Sequence, residues 1–294
     1  MSKGTSSAPS VDRPVVLVGS GRCGSTLLQS ILNTNPEFLI WGEHNALLRP
    51  IADAYYGARH ERFPDQLNLN AKDRMKRLRN RNHWPAWDNL CGQAEFQDRF
   101  RAFIRSLFAD PDGQAVRWGF KEIRYAQSSK DQTLRFMFDC FPQMRLIVLI
   151  RAPEATIFSV LSHWVFEDRR RGNIAADELD REILRTAHGW NVQYMHLHSL
   201  CEAQPANCLR VHYEDLRSSK LYERLGKFLG ASPFDYKSLV GKVKDASNKT
   251  DPTAHLILRR MKHLQPEIEN ATRGARAAYG YSSDMSSRNI SAAV

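Results

Sequence analysis

No stretch of this chain is apolar enough for long enough to span a bilayer as a helix, which argues against a helical membrane protein. Cysteine is scarce: five residues (Cys23, Cys91, Cys140, Cys201 and Cys208), odd in number, scattered, with no CxxC pair. That set does not make a disulfide framework and fits reduced thiols in the cytoplasm. Residues 1–10 are polar and rich in Ser, without the apolar centre of a signal peptide, so a cytoplasmic protein with a flexible segment 1–12 is expected. The sequons at Asn248, Asn270 and Asn289 are then chance occurrences. No internal repeat is present. His188, His196 and His198 include an H-x-H, but no acidic or Cys partner stands at ligand spacing, so no metal site is expected.

What is present is an ordinary globular composition, 42 % apolar and 25 % charged over 294 residues, enough for one large α/β domain or two small ones. The net charge of +10 points to an anionic partner without choosing among nucleic acid, acidic membrane, nucleotide and sulfated sugar.

Buried strands are predicted at 15–18, 38–41, 116–120, 146–150 and 209–213. Leu27, Leu28, Ile31 and Leu32 give the first helix its apolar face; Trp190, Tyr194, Leu197 and Cys201 do so for a later one. Leu221, Leu225 and Leu229 precede Gly230 as a capped helix. Residues 45–115 differ in character and read as a helical insertion serving as acceptor lid, with Phe96, Phe100, Phe103, Ile104 and Leu107 on one helix face. Trp84 and Trp87 within it are candidates for an acceptor groove, although packing of the insertion explains them as well. Arg169 to Arg171 read as a solvated helix end, and residues 271–294 as a flexible tail. Strands alternating with helices predict a central parallel sheet covered on both faces, binding ligands beyond the carboxyl ends of its strands.

The first strand runs into Gly19-Ser-Gly-Arg-Cys-Gly24-Ser25-Thr26. This has both glycines and the final Thr of the phosphate loop G-x-x-x-x-G-K-[ST], with Ser25 in the place of the lysine. The glycines allow a tight turn whose N–H groups face an anion at a helix N-terminus. Without the lysine that reaches β- and γ-phosphates, phosphate binding is expected and ATP hydrolysis is not. The strand at 146–150 leads to Arg151-Ala-Pro153-Glu154, where Pro153 suits a helix N1 position and Arg151 offers a fork of donors.

In these two elements the chain resembles the sulfotransferases, whose 5′-phosphosulfate loop is roughly [RK]-x-G-[ST]-T; Arg22, Gly24, Ser25 and Thr26 fall on it. The family's 3′-phosphate element, R-x-P-x(5)-S, stands here as Arg151, Pro153 and Ser159. The likeness is greatest to tyrosylprotein sulfotransferases and their bacterial relatives, through Asn35-Pro36 and a strand ending in Gly42-Glu43. It implies a P-loop-like sulfotransferase domain over 13–270 and a 3′-phosphoadenosine 5′-phosphosulfate co-substrate without metal. It also implies Glu43 as base, Lys121 and Arg22 as further catalytic groups, and donor contacts from Cys23, Ser25, Thr26, Arg151, Ser159, Tyr213 and Ser247. A small-molecule or carbohydrate hydroxyl is the expected acceptor, the sequence leaving sugar hydroxyl, phenol, peptide tyrosine and lipid head group all open. Alternatives are a P-loop-type small-molecule kinase, a basic nucleic-acid-binding protein and a nucleotide-binding regulator without turnover. For Glu43 the plain alternative is a helix N-cap or surface carboxylate; for Lys121 it is an ion pair with Glu122 or another carboxylate; Arg124 is open to an acceptor carboxylate or sulfate; Tyr213 is equally an ordinary strand aromatic.

Overall fold

Five parallel strands make one sheet: β1 (Val15–Gly19), β2 (Phe38–Trp41), β3 (Arg117–Glu122), β4 (Arg145–Ile150) and β5 (Cys208–His212), in the order β2-β3-β1-β4-β5. The computed structural model describes residues 13–57, 71–80, 93–112, 115–165, 175–231, 234–240 and 252–281. Central β1 pairs Val15 with Gly119 of β3 on one side and with Arg145 of β4 on the other. β2 and β3 therefore lie to one side of β1, β4 and β5 to the other, and a crevice opens at the carboxyl end of β1.

Alternation along the strands divides the core. Val15, Leu17, Ile147, Leu149 and Val211 face α1 (Ser25–Leu32) and, later in the chain, the helix Ser219–Leu229, meeting Leu28, Ile31, Leu221 and Leu225. Val16, Val18, Phe120, Leu146 and Val148 face the opposite layer. That layer includes α2 (Leu48–Gly57), α4 (Gln93–Phe108), α5 (Thr133–Cys140) and the long α7 (Ala176–Ala203). Between them in the chain stand α3 (Ala71–Arg79) and α6 (Pro153–Val160), the latter running into a π turn at Leu161–Val165. After β5 come a 3₁₀ turn (Tyr213–Arg217), α8 (Ser219–Leu229), α9 (Lys237–Val240), α10 (Pro252–His263) and α11 (Gln265–Tyr279).

Three expectations need correction. On α4 the buried face runs through Ile104 and Phe108, with Phe100 partly buried, while Phe103 and Leu107 are exposed. Positions 100, 104 and 108 stack at i, i+4, i+8, and the Trp41 indole N–H closes the end of that face by donating to the Phe108 carbonyl at 2.8 Å. β3 extends to Glu122 and excludes exposed Val116, so Lys121 and Glu122 are strand residues. The chain from 271 is no loose tail up to Tyr281. α11 packs along α7, burying Thr272, Ala275 and Tyr279, and the Arg276 side chain pairs with buried Glu154. Ser247, Trp84, Trp87, the segment 169–171 and residues 1–12 and 282–294 lie outside the described residues.

Candidate active site

The turn after β1 is shaped by two left-handed residues, Arg22 (φ 66°) and Gly24 (φ 88°), the second being the N-cap of α1. A Cβ at Gly24 would lie 2.6 Å from the Tyr213 ring, so this position needs glycine for its conformation and for the approach of the tyrosine. Beneath the turn, Cys23 is fully buried, and a Cβ added at Gly19 would meet its Sγ. Burial pushes the Cys23 thiol up, opposed in part by hydrogen bonds from the backbone and side chain of Ser25. Cys23 and Ser25 thus turn their side chains inward, and the loop presents its backbone with the exposed Arg22 and Thr26. Such burial makes Cys23 a poor target for oxidation.

α7 holds the loop from the opposite layer. Tyr194 donates its hydroxyl to the Leu149 carbonyl at 2.7 Å and accepts the Ser20 N–H at 3.0 Å. Gln193 directs its amide at the carbonyls of Gly19, Ile123 and Tyr125, at 3.2, 3.1 and 3.0 Å. The turn is therefore preorganised from beneath, by residues that leave its outer surface clear.

Beyond β4, Arg151 sits between the loop and β5. Its guanidinium donates to the Arg22 carbonyl at 3.2 Å and lies 4.4 Å from the centre of the Tyr213 ring. Arg22 in turn donates through Nε to Ser159 Oγ on α6, at 3.2 Å. Arg22, Arg151, Ser159 and Tyr213 thus form one cluster. Tyr213 is neither in β5 nor free of the loop: it opens the 3₁₀ turn and floors Gly24.

On the other side of β1 stand Glu43, just past β2, and Lys121, near the end of β3. Lys121 is only 6 % exposed and donates to Glu43 Oε1 at 2.6 Å and Thr26 Oγ1 at 3.1 Å. The ion pair of Lys121 is therefore with Glu43, not Glu122. Successive strand residues face opposite ways, which sends Lys121 toward α1 and Glu122 toward α2.

Glu122 was not singled out by the sequence. It is 0 % exposed and accepts N–H groups from Ala46 at 2.8 Å, Ile123 at 2.9 Å, Arg124 at 3.1 Å and His44 at 3.3 Å. Burial raises its pKa, but those donors together with neighbouring His44 and the Arg124 side chain outweigh it and hold the carboxyl below its ordinary range. His44 is pushed down, mainly by burial, against the pull of Glu122. Arg124 bridges the two acids, donating to Glu43 Oε2 at 2.9 Å and to Glu122 Oε1 at 3.1 Å.

The arrangement has two halves around the carboxyl end of β1: an anion cradle with two arginines, and an exposed carboxylate held by a buried lysine. Among the described residues no group of His, Cys, Asp or Glu is arranged to hold a metal ion, and no helix is long and apolar enough to cross a membrane. Fold and site together define an α/β enzyme built on a phosphate loop that lacks the usual lysine. The Sulfotransferase family matches residues 14–235, and the chain belongs to that family. It is a sulfotransferase, which sets aside the kinase and nucleic-acid readings.

The solved sulfotransferase domain from the curacin biosynthetic pathway is similar over 92 % of this chain and 98 % of its own, with a TM-score of 0.53 and 15 % identity. The sulfotransferase domain of the Synechococcus PCC 7002 olefin synthase covers 89 % of this chain and 94 % of its own, with a TM-score of 0.49 and 19 % identity. At that identity the first likeness speaks for the fold alone. No curated protein sequence matches the chain.

Proposed function

We propose that the chain moves a sulfo group from 3′-phosphoadenosine 5′-phosphosulfate to an acceptor hydroxyl in the cytoplasm, with Glu43 as general base. The observation that carries this reading is the convergence of loop, base and cations on the carboxyl end of β1. Thr26 Oγ1 and Glu43 Oε1 share the Lys121 ammonium, so the end of the anion cradle and the carboxylate are one hydrogen-bonded step apart.

The residues suit a donor of this chemistry. The left-handed Gly24 opens the N-terminus of α1, whose first N–H groups have no partner within the helix and favour an anion. Arg151 and Ser159, joined through Arg22, suit a second phosphate at the start of α6. Two separated anion sites are what a 3′,5′-bisphosphate needs, and Tyr213 offers an aromatic face beside them.

When bound, the nucleotide supplies a sulfo group on a phosphate leaving group. Glu43, partly exposed, takes the proton of the acceptor hydroxyl at a carboxylate oxygen. Lys121, nearly dry and beside Thr26, faces the negative charge that grows during transfer, and Arg22 supports it from the loop. Thr26 and the loop amides hold the 5′-phosphate, Arg151 and Ser159 the 3′-phosphate. The acceptor is a small-molecule or carbohydrate hydroxyl.

Calorimetric titration with 3′-phosphoadenosine 5′-phosphate tests this. Micromolar binding is expected, weakened about 10- to 100-fold in Arg151→Ala from loss of charge-assisted bonds, with ATP a poor competitor. Absence of binding, or preference for ATP, overturns it.

A further inference from the structure

Glu43 lies outside any helix or strand, in the connection between β2 and α2, so its place must be set by something other than regular structure. Asn45 and Ala46, two and three residues on, both adopt left-handed backbone (φ 56° and 55°), which asparagine tolerates but alanine takes up only where the surroundings impose it. The surroundings here are Glu122. One of its oxygens receives the N–H groups of both His44 and Ala46, pinning the connection immediately after the base. Its other oxygen receives Arg124, whose same nitrogen also reaches Glu43 Oε2.

A carboxylate buried this completely needs a counter-charge as well as neutral N–H donors. His44 stands 3.9 Å away and is the only other cationic candidate paired with it among the described residues, but its ring lies between Phe108, Phe120 and Tyr125. Arg124 is thus fixed from behind by an anion that cannot leave. Its backbone carbonyl is also bonded by Arg49, which is held in turn by Asp131 at 3.0 Å. Lys121, by contrast, divides its ammonium between Glu43 and the loop residue Thr26.

We propose that Arg124 and Glu122 are positioning residues for the base: the buried acid anchors the arginine, and the arginine holds Glu43 by Oε2 so that Oε1 meets Lys121. The inference rests on Glu43 being the base. Neither residue contacts the donor; the pair acts through Glu43. Lys121 is then left as the cation free to exchange partners, while the orientation of the carboxylate persists.

Steady-state kinetics and donor titration on Arg124→Gln, Arg124→Lys, Glu122→Gln and the double variant Glu122→Gln/Arg124→Gln test this, with Glu43→Gln alongside. The double variant removes both charges and so leaves no unpaired buried ion if a single variant fails to fold. Expected is a fall in kcat of about 10- to 100-fold from misplacement of the base, with acceptor KM and affinity for 3′-phosphoadenosine 5′-phosphate unchanged. Arg124→Lys should recover part of the loss. Unchanged kcat in folded variants overturns the inference, as does a raised acceptor KM with kcat intact, which would make Arg124 an acceptor contact. If Glu43→Gln itself keeps full kcat, the base assignment falls first; if only Glu43→Gln is impaired, the positioning role alone is wrong.

Discussion

Lys121 Nζ lies 2.6 Å from Glu43 Oε1, joining two residues 78 positions apart in the chain. The pairing follows from register: Trp41 stands opposite Phe120 in the parallel pair β2–β3, so the residues just beyond each meet at the sheet edge. A carboxylate and a cation in contact restrain one another until other partners arrive. Lys121 already has a second partner in Thr26, on the face where a donor phosphate is proposed to bind.

Removing either member should therefore have different consequences. Glu43→Gln is expected to lower kcat by about 10²- to 10⁴-fold, the usual worth of a general base, while leaving affinity for 3′-phosphoadenosine 5′-phosphate nearly intact. Lys121→Met should lower both kcat and that affinity. Steady-state kinetics beside titration separate the two; equal loss of nucleotide affinity in both variants would contradict this division of labour between acid and cation.

Gly24→Ala tests the loop without touching a charge. The methyl would meet the Tyr213 ring at 2.6 Å on a backbone at φ 88°, so either the turn or the tyrosine must move. A loss of about 1–3 kcal/mol in stability is expected, with weakened nucleotide binding. Gly42→Ala serves as the control, since its nearest neighbour is the end of the Gln29 side chain at 3.9 Å. Matching thermal midpoints for the two variants would show that the loop tolerates a side chain at 24.

The phosphate loop and the Arg151 element were legible in the sequence because each is a local device: glycines, a hydroxyl and an arginine at the end of an apolar strand. The pairing of Glu43 with Lys121 was legible only as two separate candidates. Glu122 and Arg124 were not legible as a unit, because their role depends on β3 lying beside β2 and on the chain past Glu43 folding back over it. Tyr194 read as a core aromatic, which it is, but its hydroxyl end on Ser20 and Leu149 is a tertiary fact. Gln193 gave no signal at all, since one polar residue on a long helix has no period. The phase of α4 was misjudged because five apolar residues covered more of the helix than one buried face requires.

The pH dependence of stability should be two-sided. Burial holds the Cys23 thiol above its ordinary 9.0 and the Tyr194 hydroxyl well above 10.0. Both stay protonated when folded, so their contribution is complete below those ordinary values and is lost as pH rises beyond them. Glu122 runs the other way. Its carboxyl is buried, yet N–H donors hold it below its ordinary 4.5, so its contribution is present above that value and lost as pH falls through the folded one. Urea midpoints across pH should fall at both ends, and Glu122→Gln should flatten the acidic side. An acidic limb as steep in that variant as in the parent would rule out this source.

The stretch matching the family ends at residue 235, yet the folded body does not. Glu154, on the helix that begins just after Arg151, is 1 % exposed, and its cationic partner is Arg276, from a helix lying wholly past that limit. A fragment trimmed to the shared stretch would keep the acid, discard its counter-charge and uncover Trp190 and Tyr194, whose aromatic neighbours are Tyr279 and Tyr281. The stretch that matches the family is thus smaller than what must fold together, and the helix that carries Ser159 is braced by a segment beyond that stretch.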